Sequence, residues 1–145
     1  MEIQDPAISQ NERKEWMALL GGADPNTLES TRNGLDLPFT PTYIVKPKTG
    51  MLMAQARADS AGPRFNLGEV TVTRCIMDLA GRATGYAMIL GHDARHAELA
   101  ALFDGLLQLP EYRPGLMASL VTPLQNLKER RDRRLAREQA ATRVD

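Results

Sequence analysis

Cysteine is almost missing from this chain: Cys75 stands alone among 145 residues. One thiol excludes an internal disulfide framework and is a poor start for a zinc or iron–sulfur site. An excess of charge of either sign is missing as well. Lys plus Arg and Asp plus Glu number 18 each, so no global field draws the chain to nucleic acid or to an anionic membrane. No apolar run approaches the length of a membrane span, and no basic-then-apolar leader opens the chain. These absences point to a reducing, cytoplasmic setting. What remains is an average soluble composition, 43% apolar and 25% charged, in a length that makes one domain, 1–145, with a real core.

The chain is organised around Phe65 to Leu109. From Gly68 to Leu79, Val, Thr and Ile dominate, and β-branched side chains suit a pleated surface. Ala80-Gly81 then separates this run from Arg82 to Leu90, which is hairpin spacing with a residue able to take positive φ. Asp93 is the natural cap of the helix that follows, its carboxylate accepting from free N–H groups of the first turn. Leu99, Leu102, Phe103, Leu106 and Leu107 have the helical spacing of one buried stripe.

Around this centre, residues 1–8 read as a loose arm. Ser9-Gln10-Asn11-Glu12 has capping-box spacing, and its helix, with Trp16, Met17, Leu19 and Leu20, stops at Gly21-Gly22. The small apolar end of that helix must dock on its own sheet or on a partner chain. Asp24-Pro25 starts a second short helix that ends at Asn33-Gly34. Thr42 to Lys46 reads as a strand halted by Pro47. Lys48-Thr49-Gly50 reads as a turn, and Met51 to Asp59 as the antiparallel mate. The face of that mate made by Leu52, Ala54, Ala56 and Ala58 is placed under a helix; Met51, Met53, Gln55 and Arg57 form the opposite one. Two hairpins in succession predict a four-stranded antiparallel sheet with helices on one face, an α+β architecture. Thr122 reads as the cap of a last helix in which Lys128 to Arg134 is nearly all charge. The segment 123–145 is therefore expected to project, with interleaved acids pairing its bases and no stacking aromatic for nucleic acid.

Few residues invite chemistry. His92-Asp93-x-x-His96 imitates a helical zinc motif, but that motif wants Glu beside the first His within a continuous helix. With Asp93 as cap, His92 falls outside the helix and the pair loses its shared face. His96, in the first turn, is expected to be neutral and bonded to backbone or a partner. Arg74 shares a face with Val70, Val72 and Ile76. It either snorkels at a sheet edge, pairs with Asp78 or Glu98, or meets a phosphate. Cys75 alternates onto the face of Thr71, Thr73, Met77 and Leu79 as a buried small hydrophobe. The stretch from Gly62-Pro63-Arg64 to Gly68 leads into a strand and holds no Gly-Lys-Ser/Thr, so it is no phosphate cradle. The residues therefore assign no catalytic set and no metal site.

Thr73-Arg74, Gly85-Tyr86 and Gly91-x-Asp93-x-x-His96-Ala97-Glu98 resemble PhnG, the G subunit of the bacterial carbon–phosphorus lyase core complex. The likeness runs from Arg13-x-x-Trp16-Met17 to Thr142-Arg143-Val144-Asp145 and takes in Thr49-Gly50 and Arg64-Phe65. Two departures stand out: His92 replaces an expected Arg, and the chain stops where such subunits continue with an apolar Phe-Phe-Thr segment. The resemblance implies a subunit, with H, I and J partners, of machinery for phosphonate breakdown. That machinery displaces the base of a purine nucleoside triphosphate by a phosphonate, giving a ribose 1-phosphonate 5-triphosphate. The iron–sulfur cluster and S-adenosylmethionine belong to the J subunit, the nucleosidase chemistry to I, and no cofactor to this chain. An architectural role passes to it, with Thr73, Arg74, Asp93, His96 and Glu98 as candidate contacts with partners or ligands. Alone, such a chain is expected to self-associate. The rival readings are a stand-alone metal-assisted hydrolase using His92, Asp93, His96 and Glu98, and an unrelated homo-oligomeric binding module.

Overall fold

The structure, a computed structural model, describes residues 8–57 and 62–142. The expected arm up to Ala7, residues 58–61 with the end of the strand expected to reach Asp59, and the last three residues lie outside the described residues. Helix α1 (Gln10–Gly21) begins where the Ser9 hydroxyl accepts from the Glu12 N–H at 3.1 Å. Helix α2 (Pro25–Asn33) begins where Asp24 accepts from the Asn26 N–H at 2.9 Å, with Pro25 in the first turn. In both, a short polar side chain satisfies a donor that the helix itself leaves free.

Three strands follow: β1 (Thr42–Arg57), β2 (Arg64–Leu79) and β3 (Ala83–Leu90), antiparallel in the order β1-β2-β3. The β2–β3 turn is of the primed kind that matches strand twist. Ala80 and Gly81 both take positive φ, 54° and 72°, and the Arg82 N–H donates to the Leu79 carbonyl at 3.0 Å.

The sheet has three strands rather than the four expected. Lys48-Thr49-Gly50 makes no turn; β1 runs straight through it. The pairing with β2 shifts between Tyr43 and Val45 and again between Val45 and Lys48. Pro47 lies within the second irregularity on an edge strand, where a missing N–H interrupts no needed ladder. The face assignment of Leu52 changes with it. Leu52 pairs with Val70, on the side of β2 away from the helices, and is 45% exposed. Beyond Val72 the β2 strand has only β1 for a partner, and the two continue as a bare ribbon.

Helix α3 (Ala94–Leu107) is the centre of the molecule. Eleven of its fourteen residues are buried, from His96 and Ala97 through Leu99 to Leu107. The expected single stripe is thus an under-reading, because α3 packs on β2 and β3 and also against α1 and α2. Its close approach to the sheet depends on two glycines. A Cβ on Gly85 would lie 1.8 Å from the Ala101 carbonyl oxygen, and one on Gly105 would lie 2.8 Å from a Leu79 methyl. Helix α1 docks on its own chain, burying Trp16 and Leu20 against α3 and β3.

The last helices correct another expectation. Helix α4 (Arg113–Leu116), a π turn (Met117–Val121) and α5 (Thr122–Ala141) are continuous, and Thr122 caps nothing. Pro123 offers no N–H and its ring crowds the preceding turn of an α-helix; the wider π turn just before it accommodates both. Of α5 only Leu124 is buried, and the remainder is exposed as its charge pattern requires.

Candidate functional site at the junction of β3 and α3

The loop between β3 and α3 is bonded from beneath. Thr73, wholly buried, donates its hydroxyl to the Gly91 carbonyl at 2.8 Å and lies 3.0 Å from the Thr49 hydroxyl. The Gly91 N–H returns to the Thr71 carbonyl at 2.8 Å, and Gly91 itself takes φ 93°. This positive φ turns the chain from strand to helix, a conformation that glycine adopts without steric cost. Asp93 then accepts from the His96 N–H at 3.0 Å, the capping bond expected. His92 is exposed, whereas His96 is buried with Nε2 at 2.9 Å from the Leu20 carbonyl oxygen. A carbonyl only accepts, so the proton is on Nε2, and the ring ties α3 to the end of α1. The two imidazoles share no face.

Glu98 is the hub of a charged cluster one turn further on. It accepts from the Tyr43 hydroxyl of β1 and from Arg95, which also holds Glu29 of α2 by two bonds of 3.1 and 2.7 Å. The bond to Glu98, then burial, push the Tyr43 hydroxyl up to about 12, while the Arg95 bond holds Glu29 below its ordinary value. Nearby Cys75 is fully buried; desolvation first, and the Glu98 charge second, push its thiol up to about 11. A thiol so placed is a weak nucleophile at neutral pH. The chemistry available to the cluster is therefore the joining of α2, α3 and β1.

Thr73, Asp93, His96 and Glu98 thus share one junction, and Arg74 does not. Arg74 is on the opposite side of the sheet, exposed, and makes no ion pair among the described residues. The expected pairing with Asp78 or Glu98 is absent: Asp78 accepts from the Gly81 N–H, and Glu98 is taken by Tyr43 and Arg95.

The side chain that sequence reasoning missed is Asp104. It is wholly buried on α3 and accepts from five donors. Oδ1 takes Arg13 Nε at 3.1 Å and Trp16 Nε1 at 2.8 Å. Oδ2 takes Arg13 Nη2 at 2.8 Å, the Tyr86 N–H at 2.9 Å and, more loosely, Gln108 Nε2 at 3.5 Å. A lone acid inside the apolar run from Leu99 to Leu107 was the available signal. The spacing Arg13-x-x-Trp16, one face of a helix, was its complement.

An antiparallel sheet closed by helices on one side, with polar groups spent on joining elements, defines an α+β domain with its other sheet face open. The chain belongs to the family described as "Phosphonate metabolism protein PhnG", which it matches over residues 11–145. It is 36% identical over 141 residues to a protein of Rhizobium meliloti (strain 1021), covering 97% of this chain and 88% of that one. That relative is described as "Alpha-D-ribose 1-methylphosphonate 5-triphosphate synthase subunit PhnG".

Proposed function

We propose that this chain is a subunit of a ribose 1-phosphonate 5-triphosphate synthase and serves it as an architectural part. The observation that carries the proposal is the 36% identity to the Rhizobium meliloti subunit across nearly the whole of both chains. The full assembly contains H, I and J partners and acts in the cytoplasm on a purine nucleoside triphosphate and a phosphonate. Its iron–sulfur cluster and S-adenosylmethionine belong to J, and this chain holds no cofactor of its own. The bonding at the junction supports the architectural part of this reading. Asp93 is engaged as a cap, His96 is bonded to the Leu20 carbonyl, and Glu98 is shared by Tyr43 and Arg95. Each is committed to holding elements together before any substrate arrives. Thr73, Asp93, His96 and Glu98 accordingly shape the surface that partners meet.

An assay of adenine release from ATP plus methylphosphonate tests this. The isolated chain is expected at background, and the chain co-purified with its partners well above it. Release by the isolated chain, lost on His96→Ala, would make it an enzyme in its own right.

A further inference from the structure

Antiparallel sheets covered on one side ordinarily turn polar side chains outward on the other. Here the outward series is largely apolar. On β2 it runs Val70, Val72, Arg74, Ile76, Asp78, and on β3 Thr84, Tyr86, Met88, Leu90, as the pairing and the strict alternation of strands require. Leu90 is 77% exposed, Met88 42% and Leu52 45%. In the middle of this face Lys48 of β1 is directly opposite Arg74, and Arg74 in turn opposite Met88. Both cations are exposed and neither bonds to an acid among the described residues. Like charges directly opposite on adjacent strands are unfavourable. Four other arginines of the described residues, Arg13, Arg82, Arg95 and Arg134, do have acidic partners.

We propose that this open sheet face is where a second subunit of the synthase docks, by an apolar surface with a carboxylate set between Lys48 and Arg74. This rests on the subunit reading above and assigns it a surface. Burying Leu52, Met88 and Leu90 supplies the apolar contact. One acid, bonded to both cations, relieves their repulsion and fixes the register of the two surfaces. A second copy of this chain is the poorer occupant, because a two-fold contact centred here brings four cations together. A small anion is poorer still, since Lys48 and Arg74 are on a pleated face and line neither the cleft between α1 and α5 nor the one beside β3, whose wall includes Met88.

The test is recovery of the assembled synthase from co-expression of its subunits with the chain carrying Arg74→Glu, Arg74→Lys or, as control, Arg133→Glu on α5. Arg74→Glu is expected to lower recovery at least tenfold, Arg74→Lys to restore most of it, and Arg133→Glu to leave it unchanged. Free Arg74→Glu should melt no lower than wild type, because the new carboxylate faces Lys48; this separates a lost interface from a lost fold. Radical footprinting of the wild-type assembly should show Met88 protected relative to the free chain. Full recovery with Arg74→Glu, or an unprotected Met88, would refute the docking face while leaving the subunit reading intact. Failure of the wild-type chain to recover any partner would remove both. A homodimer of the free chain that Arg74→Glu dissolves would make a second copy the occupant and overturn the proposal.

Discussion

Asp104 shows at the scale of one residue how this core tolerates a charge. Burying a carboxylate is costly unless its lone pairs are filled, and here both oxygens accept from donors on α1, on β3 and on Gln108 just after α3. Asp104→Ala leaves the Trp16 and Tyr86 N–H groups buried without acceptors, so a loss of about 3 kcal/mol is expected in urea unfolding. Asp104→Asn should not rescue it, because an amide would aim an NH2 group at donors. Tyr43 offers a pH-dependent counterpart. Its folded value, pushed up to about 12 mainly by the bond to Glu98, is above the ordinary 10.0 of a free phenol. The folded state therefore holds the proton more tightly. The stabilisation is full below pH 10 and disappears as pH rises through about 12. Ultraviolet titration of the folded chain should show a late phenol phase that Tyr43→Phe removes.

Among the elements, α3 and the strand beneath it depend on a close approach. The Cβ of Gly85→Ala would meet backbone, the Ala101 carbonyl oxygen, which moves only if the helix moves. That of Gly105→Ala would meet the methyls of Leu79, the flexible end of a side chain. Gly85→Ala is expected to cost about 3 kcal/mol or more and Gly105→Ala clearly less, as thermal melts of the two variants would show. Equal losses would mean that the helix is free to lift from the sheet. The same geometry accounts for Gly85-Tyr86 as a pair: one residue admits the helix and the next donates its N–H to Asp104.

For the whole molecule, helices on one side of the sheet leave the other side and the β1–β2 ribbon bare. Met51, Leu52, Met53, Leu67 and Leu90 are between 45% and 77% exposed. Apolar surface of this extent marks a docking area or an aggregation hazard. The purified chain is expected to bind a hydrophobic dye and to self-associate at high concentration by sizing chromatography. A monodisperse monomer that binds no dye would count against an obligate subunit. Among the described residues no helix is long and apolar enough to cross a membrane.

What the sequence alone determined is what neighbours in the chain decide. The caps at Ser9, Asp24 and Asp93, the turn at Ala80-Gly81 and the burial of Cys75 and of the Leu99–Leu107 run are all present as read. Each depends on side chains reaching only a few residues, or on a period of two or 3.6. The PhnG likeness was legible for a related reason, since it rests on an ordered set of short motifs. Tertiary structure decided the rest. Pro47 was free either to end a strand or to occupy a bulge, and only pairing with β2 chose the bulge. Asp104 is ordinary until Arg13 and Trp16, far away in the chain, meet it. Arg74 had Asp78 and Glu98 as candidate acids, yet one was claimed by a turn and the other by Tyr43 and Arg95, on the far side of the sheet. Bonds across the chain are won in competition among all donors and acceptors at once, and no local pattern records which of them wins.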